Sequence, residues 1–251
     1  MRKNKTLLSI VVIILVLLAS CATVEKDATV VNTATAENSA TVDVSKSVSA
    51  KTNNDGSPAW TSKIPTSSKM LYGVGKAKLM TSSNSQQAAD AMARSDLALK
   101  ISTNLNSALA VYSNEASTVV TNAYETIIKQ SVNLTMKKVV VEQRWVENDG
   151  TVWTLVSFKI KDLPALYEDA ANDYLNQLEE RRISTANKLS TLLKELGDSS
   201  DEDVLTLRQL AQQKAESIIA EVSEISGSID IPTQKNELSQ YLLEEGFDLS
   251  E

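Results

Sequence analysis

An apolar stripe with three- and four-residue spacing runs through residues 89–112 and predicts one long amphipathic helix. Residues 82–85, followed by Gln86 and Gln87, supply candidates for the N-cap and a capping box. A helix of this length has to bury its apolar face, and the small residues near its start allow close approach to a sheet. The stripe consists of Ala89, Ala93, Leu97, Ile101, Leu105, Ala108 and Tyr112.

Strand patterns lie on both sides of this helix. Residues 71–77 alternate in bulk and contain two glycines, which predicts a short strand with a bulge or a tight bend. Residues 134–146 and 151–160 are rich in β-branched and aromatic residues, and the Asn-Asp-Gly sequence at 148–150 between them predicts a hairpin.

A second helical pattern, at residues 116–128, precedes the hairpin. The order strand, helix, helix, hairpin is packed most simply as an antiparallel sheet covered by helices. Alternation assigns two faces to the hairpin strands. Val139, Val141, Gln143 and Trp145 are expected on one face of the first strand, and Val152, Thr154, Val156, Phe158 and Ile160 on one face of the second, with Trp153 and Leu155 on the other.

The remainder of the chain, from residue 162 onward, has a helical pattern. A heptad-like series ends before Gly197, a second series follows, and a short third helix at residues 233–245 is ended by Gly246. The predicted fold class is therefore α+β: a small antiparallel sheet covered by a long amphipathic helix, followed by an all-α helical hairpin. The first series is Ala171, Leu175, Leu178, Arg182, Thr185, Leu189, Leu192 and Leu196, and the second is Val204, Leu207, Ala211, Ile218, Val222 and Ile225.

The first 21 residues have the three parts of a secretory signal: basic residues, an apolar run at 7–18, and small residues before a cysteine. The run is about a dozen residues long, too short to cross a bilayer as a helix. Leu18, Ala19, Ser20 and Cys21 resemble the lipobox of bacterial lipoproteins. The resemblance implies cleavage before Cys21, a diacylglyceryl group on its sulfur and a further acyl chain, such as palmitate, on its amine. The alternative is a free cysteine at the end of an uncleaved signal anchor.

Cys21 is followed by Ala22, whereas in proteobacterial relatives an aspartate at this position favours retention in the inner membrane. We therefore expect lipid anchoring at the outer membrane, facing the periplasm or the surface. Residues 22–57 are mostly Ala, Thr, Val, Ser, Asn, Asp and Lys, a composition that predicts a flexible tether. Its ends would lie about 30–35 Å apart on average.

Charge and composition exclude several classes of function. The formal net charge is −7 and becomes −10 without residues 1–20; residues 161–251 carry 8 Lys/Arg against 20 Asp/Glu. An acidic chain repels phosphate backbones, so no nucleic-acid partner is expected. The chain has no histidine, which removes the commonest general base and nitrogen ligand for metals. Its single cysteine cannot form an intrachain disulfide, so stability must come from packing.

No catalytic, cofactor or metal site is predicted. Gly73 and Gly75 begin a dinucleotide-type motif, but Lys78 stands at the third glycine position, so a bend is expected instead. Two opposite-charge pairs on the long helix are expected to be surface pairs: Asp90 with Arg94, and Asp96 with Lys100. Two groups of acidic residues have an alternative functional interpretation. Glu142, Glu147 and Asp149 could in principle perform acid–base chemistry. Asp198, Asp201 and Asp203 could bind calcium, although helix capping explains them more simply.

The aromatic side chains Trp60, Tyr72, Trp145 and Trp153 are expected to pack between helix and sheet, since buried aromatics dominate core energetics. The alternative is that they line a groove for a peptide or a glycan. That alternative predicts a concave apolar pocket near Trp145 and Tyr72.

Four motifs occur in a fixed order in the central segment: Pro-Ala-Trp at 58–60, Tyr-Gly-Val-Gly-Lys-Ala at 72–77, an alanine-rich helix at 88–97, and Trp-Val followed by Asp-Gly-Thr-Val-Trp-Thr-Leu-Val within 145–156. In this order they resemble the Lpp-twenty family of bacterial lipoproteins over roughly residues 58–160. A more distant likeness is to N-terminal domains of flagellar basal-body assembly proteins of the outer membrane. The resemblance implies an outer-membrane or surface lipoprotein, and it carries over no catalytic residues.

Four segments are predicted: a cleaved signal peptide at 1–20, a lipidated tether at 21–57, an Lpp-twenty-like α+β domain at 58–160, and an acidic helical hairpin with a short terminal helix at 161–251. The expected function is that of a non-enzymatic envelope lipoprotein anchored through Cys21, whose C-terminal helices bind an envelope or flagellar-associated protein or a second copy. The alternatives are a lipid-anchored module for a small ligand and, third, a hydrolase, which would need an activated serine or threonine.

Overall fold

The computed structural model describes residues 52–114, 116–197 and 201–250. The predicted signal peptide, the lipobox and most of the tether lie outside these residues. In chain order the elements are a 3₁₀ turn at Ala59–Thr61, strand β1 (Met70–Ala77), helices α1 (Ser82–Ala108), α2 (Ala110–Asn114) and α3 (Thr118–Lys137), strands β2 (Val140–Val146) and β3 (Val152–Lys159), a 3₁₀ turn at Ile160–Asp162, and helices α4 (Leu163–Leu196), α5 (Glu202–Ser228) and α6 (Ile231–Glu244). The predicted α+β fold class is confirmed.

The N-cap of helix α1 lies one residue before the predicted cap candidates. Thr81 has an extended backbone, and its hydroxyl accepts the amide proton of Asn84 at 3.2 Å, so Thr81 is the N-cap. Ser85, within the predicted cap region, is buried and instead accepts the Leu79 amide proton at 2.8 Å. The predicted apolar stripe is fully buried from Ala89 to Leu105. The prediction of one helix through residue 112 is wrong, because the helix ends at Ala108 and Tyr112 belongs to the separate short helix α2.

The three strands form an antiparallel sheet in the order β1-β3-β2. β3 is the central strand, and most of its residues are buried on both faces. The close pairing of β2 and β3 around a tight turn confirms the predicted hairpin, and Gly150 in that turn has a φ of 85°. Helix α1 lies across one face of the sheet, hereafter the inner face.

The two glycines of β1 allow the backbone of α1 to approach the sheet. A Cβ added at Gly75 would overlap the carbonyl oxygen of Ala89 and the amide nitrogen of Ala93, and one at Gly73 would lie 2.8 Å from the Leu97 Cβ. β1 nevertheless pairs with β3 without interruption from Met70 to Ala77. The predicted bulge or bend is therefore wrong, because the glycines serve close packing rather than a change of strand direction.

The irregularity lies in β2. Val141 pairs with Val156 and Gln143 with Leu155, so Glu142 is an extra residue and forms a bulge. A bulge reverses the alternation of faces beyond it. Val141 consequently shares the inner face with Val156, while Gln143 and Trp145 are on the opposite face, so the prediction that all three share a face is wrong.

Helix α3 continues to Lys137, so the prediction of a strand from residue 134 is also wrong; β2 begins at Val140. The buried side of α3 includes Ile127, Ser131 and Thr135, which keep helical spacing. The hydroxyls of Ser131 and Thr135 donate to the carbonyl oxygens four residues earlier, at 2.8 and 2.9 Å. These bonds satisfy buried polar groups, and they let β-branched and polar residues remain helical.

One apolar core extends from the inner face of the sheet through α1 and α3 into the C-terminal helices. It contains residues from both sides of the predicted boundary at residue 160. Its members include Leu97, Ile127, Phe158, Leu166, Val222 and Leu242.

A buried polar network connects the C-terminal helices to α3. The Tyr167 hydroxyl donates to Gln234 Oε1 at 2.8 Å, Gln234 Nε2 donates to the Tyr124 hydroxyl at 2.7 Å, and that hydroxyl donates to the Ser228 carbonyl at 3.0 Å. Desolvation by burial raises the pKa of both tyrosines. Each polar group named here has a partner, so the network can hold four helices in one arrangement.

The predicted helical hairpin and terminal helix are present. α4 and α5 are joined at residues 197–201, where Gly197 has a φ of 58° and Asp201 caps α5 by accepting the Asp203 amide proton at 3.1 Å. α6 ends before Gly246, which has a φ of 86°.

Candidate interaction surfaces

The face of the sheet turned away from α1, hereafter the outer face, contains the aromatic residues of the central domain. Strand register places Tyr72 beside Ser157, and Lys76, Trp153 and Trp145 in one row across the three strands. Trp60 is buried, and the rings of Tyr72, Trp145 and Trp153 are half-buried. The prediction that these rings pack between helix and sheet is wrong, because strand register, with the bulge at Glu142, places Tyr72, Trp145 and Trp153 on the face opposite to α1.

Hydrogen bonds fix the indole rings of the outer face. Trp60 Nε1 donates to Gln143 Oε1 at 2.6 Å, which holds residues 59–61 against β2. Trp153 Nε1 donates to Glu147 Oε1 at 2.6 Å, and the Lys76 ammonium lies 4.5 Å from the Trp153 ring centroid. Trp145 is opposite Trp153, so two half-buried rings are side by side on this face.

The three hairpin carboxylates each have a different structural partner. Glu142 accepts the Ser157 hydroxyl, Glu147 holds Trp153, and Asp149 lies 3.1 Å from the Lys78 ammonium. Hydrogen bonds from the Thr151 amide and hydroxyl, together with Lys78, lower the pKa of Asp149 to about 2. Ser157 is fully buried, so its contact with a carboxylate does not present a nucleophile to a substrate.

Asp90 bridges α1 to the inner face of the sheet, and its main partner is not the predicted Arg94. Arg144 Nε and Nη2 donate to the two Asp90 oxygens at 3.0 and 2.7 Å, and the Thr154 hydroxyl donates at 2.7 Å. Burial on its own raises the Asp90 pKa, but the bonds from Arg144 and Thr154 outweigh burial and lower it. Arg94 instead donates to the Met136 carbonyl at 3.1 Å.

The predicted pair Asp96–Lys100 is confirmed, with 2.8 Å between its charged atoms. The pair also occupies the free edge of β1, since Asp96 accepts the Val74 amide proton at 3.0 Å and Lys100 donates to the Tyr72 carbonyl at 2.8 Å. These contacts satisfy backbone groups that would otherwise be open to another strand.

The far part of the C-terminal hairpin has a partly uncovered apolar surface. We define the distal hairpin as residues 183–196 of α4 and 202–215 of α5. Its seam buries Leu192, Leu196 and Ala215, apart from the main core. Flanking this seam are exposed apolar side chains, Ile183 (49% exposed), Leu205 (43%) and Leu210 (45%), and half-buried ones, Leu189, Leu193, Val204, Leu207 and Ala211.

In the described structure one cavity opens at the start of β1 and another lies between α1, α2 and α3; neither of these is lined by Trp145 or Tyr72. Among residues 52–114, 116–197 and 201–250, no cluster of acidic residues could hold a metal ion. In those same ranges no helix has the length and apolarity to cross a bilayer. Of the acidic residues considered for calcium, Asp201 caps α5, and Asp198 lies outside the described residues.

The predicted modification site is not among the described residues. Leu18, Ala19, Ser20 and Cys21 all precede Thr52, where the description begins. Lipidation of Cys21 therefore stays a prediction from the sequence.

Comparison with known proteins finds a family that the central domain resembles. The model of the LPP20 lipoprotein family matches residues 58–159, from the first 3₁₀ turn to the end of β3, and this confirms the Lpp-twenty resemblance and its span. No curated protein matches the chain. The crystal structure of the secreted protein HP1454 from the human pathogen Helicobacter pylori aligns at 15% identity with a TM-score of 0.22, covering 68% of this chain and 59% of that one. A TM-score this low supports no argument about fold or function.

Proposed function

From the match of residues 58–159 to the LPP20 lipoprotein family, we propose that this protein is a non-enzymatic lipoprotein of the bacterial outer membrane. The family match carries the proposal, and the lipobox resemblance of residues 18–21 supplies the means of attachment. Two or three acyl chains on Cys21 would hold the domain at the membrane, because each buried CH₂ contributes about 0.8 kcal/mol.

The absence of an enzymatic role is supported by two observations. The LPP20 family is not a known enzyme family. The side chains best suited to chemistry, such as Ser157 with Glu142 and Asp90 with Arg144, are engaged within the sheet and its contact with α1. We therefore assign these groups to fold stability.

The proposed role is attachment of another envelope protein to the membrane, with the distal hairpin as the binding surface. Leu205, Leu210 and Ile183 are large apolar side chains exposed beside one seam. Apolar helix faces of this kind are recognised by helices of a partner, which complete the packing of the seam.

The anchor is tested by the substitution Cys21→Ser. We expect the variant to lose incorporation of labelled palmitate and to leave the membrane fraction, while wild type is retained there. Ala22→Asp serves as a matched control. It should keep the lipid and, in bacteria where an aspartate after the cysteine causes retention, it should move the protein to the inner membrane. Full membrane retention of Cys21→Ser without lipid would contradict the proposal.

The partner surface is tested by crosslinking in intact cells that carry the tagged full chain. A discrete crosslinked partner should appear with wild type and disappear with Leu205→Glu combined with Leu210→Glu. Leu99→Glu on α1, which is 68% exposed, is the matched control and should keep the partner. Loss of the partner in the control alone, or recovery of the chain without any protein partner, would refute the role of the hairpin.

A further inference from the structure

Five lysines meet at one end of the sheet, although the chain as a whole is acidic. Antiparallel pairing brings together the start of β1, the end of β3 and the start of β2. Lysines lie within three residues of all three of these strand ends. They are Lys69, Lys137, Lys138, Lys159 and Lys161.

A cavity of about 180 Å³ opens between three segments at this end. The C-terminal tail forms one wall, held in place by the Asp248 amide, which donates to the Ser68 carbonyl at 2.7 Å. The strand ends are joined by the Ile160 amide, which donates to the Lys69 carbonyl at 3.1 Å. The lining residues are Lys69, Met70, Lys159, Lys161, Asp248 and Ser250.

The charges of the lining do not balance. Lys69 pairs with Asp248 at 3.3 Å and donates to Ser250 Oγ at 3.4 Å. Lys159 and Lys161 form no ion pair with any of the described residues 52–114, 116–197 and 201–250. The described lining residues thus carry three ammonium groups and one carboxylate, an excess of two positive charges among residues 52–114, 116–197 and 201–250.

We propose that this cavity, hereafter the lysine cleft, binds a phosphate group of a phosphate ester. An excess of two positive charges matches the charge of a phosphate monoester, and lysines bind phosphate as point charges. The volume corresponds to about six water molecules, which is enough for a phosphate and the first carbons of its ester. Met70 supplies an apolar wall for those carbons. The proposal does not depend on lipidation of Cys21.

The ligand is tested with glycerol 3-phosphate, added to the full chain in a nonionic detergent. The methyl group of Met70 is the reporter, observed by NMR after labelling of the methionine methyl groups and assigned through Met70→Leu. We expect a saturable shift of the Met70 signal and none of the signal from Met80, which is fully exposed outside the cleft. Sodium chloride at equal ionic strength should not reproduce the shift.

Variants with altered charge distinguish binding in the lysine cleft from nonspecific attraction of anions to the protein surface. Lys159→Gln combined with Lys161→Gln should weaken binding about 25-fold, since a lysine near an anionic group contributes about fivefold. Lys63→Gln combined with Lys129→Gln removes the same charge elsewhere and should leave the affinity within twofold. Equal weakening in the two double variants would overturn the proposal.

The source of the phosphate is distinguished with the same reporter in lipid nanodiscs. Nanodiscs of phosphatidylcholine are compared with nanodiscs that also contain phosphatidylglycerol. A Met70 shift that needs phosphatidylglycerol and is lost in Lys159→Gln with Lys161→Gln assigns a lipid headgroup. A response to glycerol 3-phosphate alone assigns a soluble phosphate ester, and no response to either probe refutes the site.

Discussion

Gln234 is fully buried at the centre of the polar network, and replacing it with leucine tests what the network contributes to stability. The substitution removes the bonds to Tyr167 and Tyr124 and leaves the buried Tyr167 hydroxyl without that acceptor. An unsatisfied buried hydroxyl costs about 1–3 kcal/mol, and the second bond contributes about 1 kcal/mol. We expect Gln234→Leu to lower the free energy of unfolding by about 2–4 kcal/mol, which lowers Tm by about 5–15 °C at this size.

The assay is chemical unfolding of the full chain in nonionic detergent, followed by two signals. All three tryptophans lie in the sheet or against it, so their fluorescence reports the central domain. Far-UV circular dichroism reports mainly the helices. Because the network joins α3 to α4 and α6, we expect both transitions to move by the same amount.

A second substitution distinguishes the network from simple loss of packing. Tyr167→Phe in the Gln234→Leu background removes the unsatisfied hydroxyl, so the double variant should be about 1–3 kcal/mol more stable than Gln234→Leu alone. The reasoning is refuted if Gln234→Leu unfolds within about 0.5 kcal/mol of wild type, or if the two substitutions destabilise additively.

Three further predictions concern other parts of the fold. Gly75→Ala should destabilise the protein by about 3 kcal/mol in the same assay, because the added Cβ would overlap backbone atoms of α1 that cannot move aside. Gly227→Ala is the control: a Cβ there meets nothing within 4 Å, so the substitution should stabilise the protein by about 0.5–1 kcal/mol. Asp90→Asn should reduce the fall in the free energy of unfolding at acid pH. In wild type the lowered Asp90 pKa contributes stability above the ordinary aspartate pKa of about 3.9, and that contribution is lost as the pH falls through the folded-state pKa. Deleting residues 161–251 should make the remaining chain aggregate on purification, since the buried face of α3 loses its cover; a soluble fragment with a cooperative transition would contradict this.

The patterns that predicted correctly are those set by local physics. The stripe of α1, the hairpin around Gly150 and the glycine after α6 follow from side-chain periodicity and from backbone conformations that few residues adopt. The errors arise where tertiary packing chooses between local options. Of residues 134–137 only Thr135 is β-branched, and the buried helical face that includes Ser131 continues through it.

The candidate surfaces were less accessible to sequence reasoning than the elements were. The tryptophans could be named, but their face depended on a one-residue bulge at Glu142 and on the glycine contacts of β1. The lysine cleft was missed, because its lining residues are separated by about 180 positions along the chain. The sequence did contain a signal, since lysines lie within three residues of all three strand ends, but the signal can be interpreted only once the strand order is known.

The sequence by itself determined most of the order of the elements and the similarity of residues 58–159 to the LPP20 lipoprotein family. Each of these depends on residues close together in the chain, where spacing and composition decide the outcome. Tertiary structure alone decided which side chain of α1 bonds to the sheet, how Tyr124, Tyr167 and Gln234 meet, and which face carries the tryptophans. Those choices depend on contacts between distant residues, and their energies appear only when the backbones have packed.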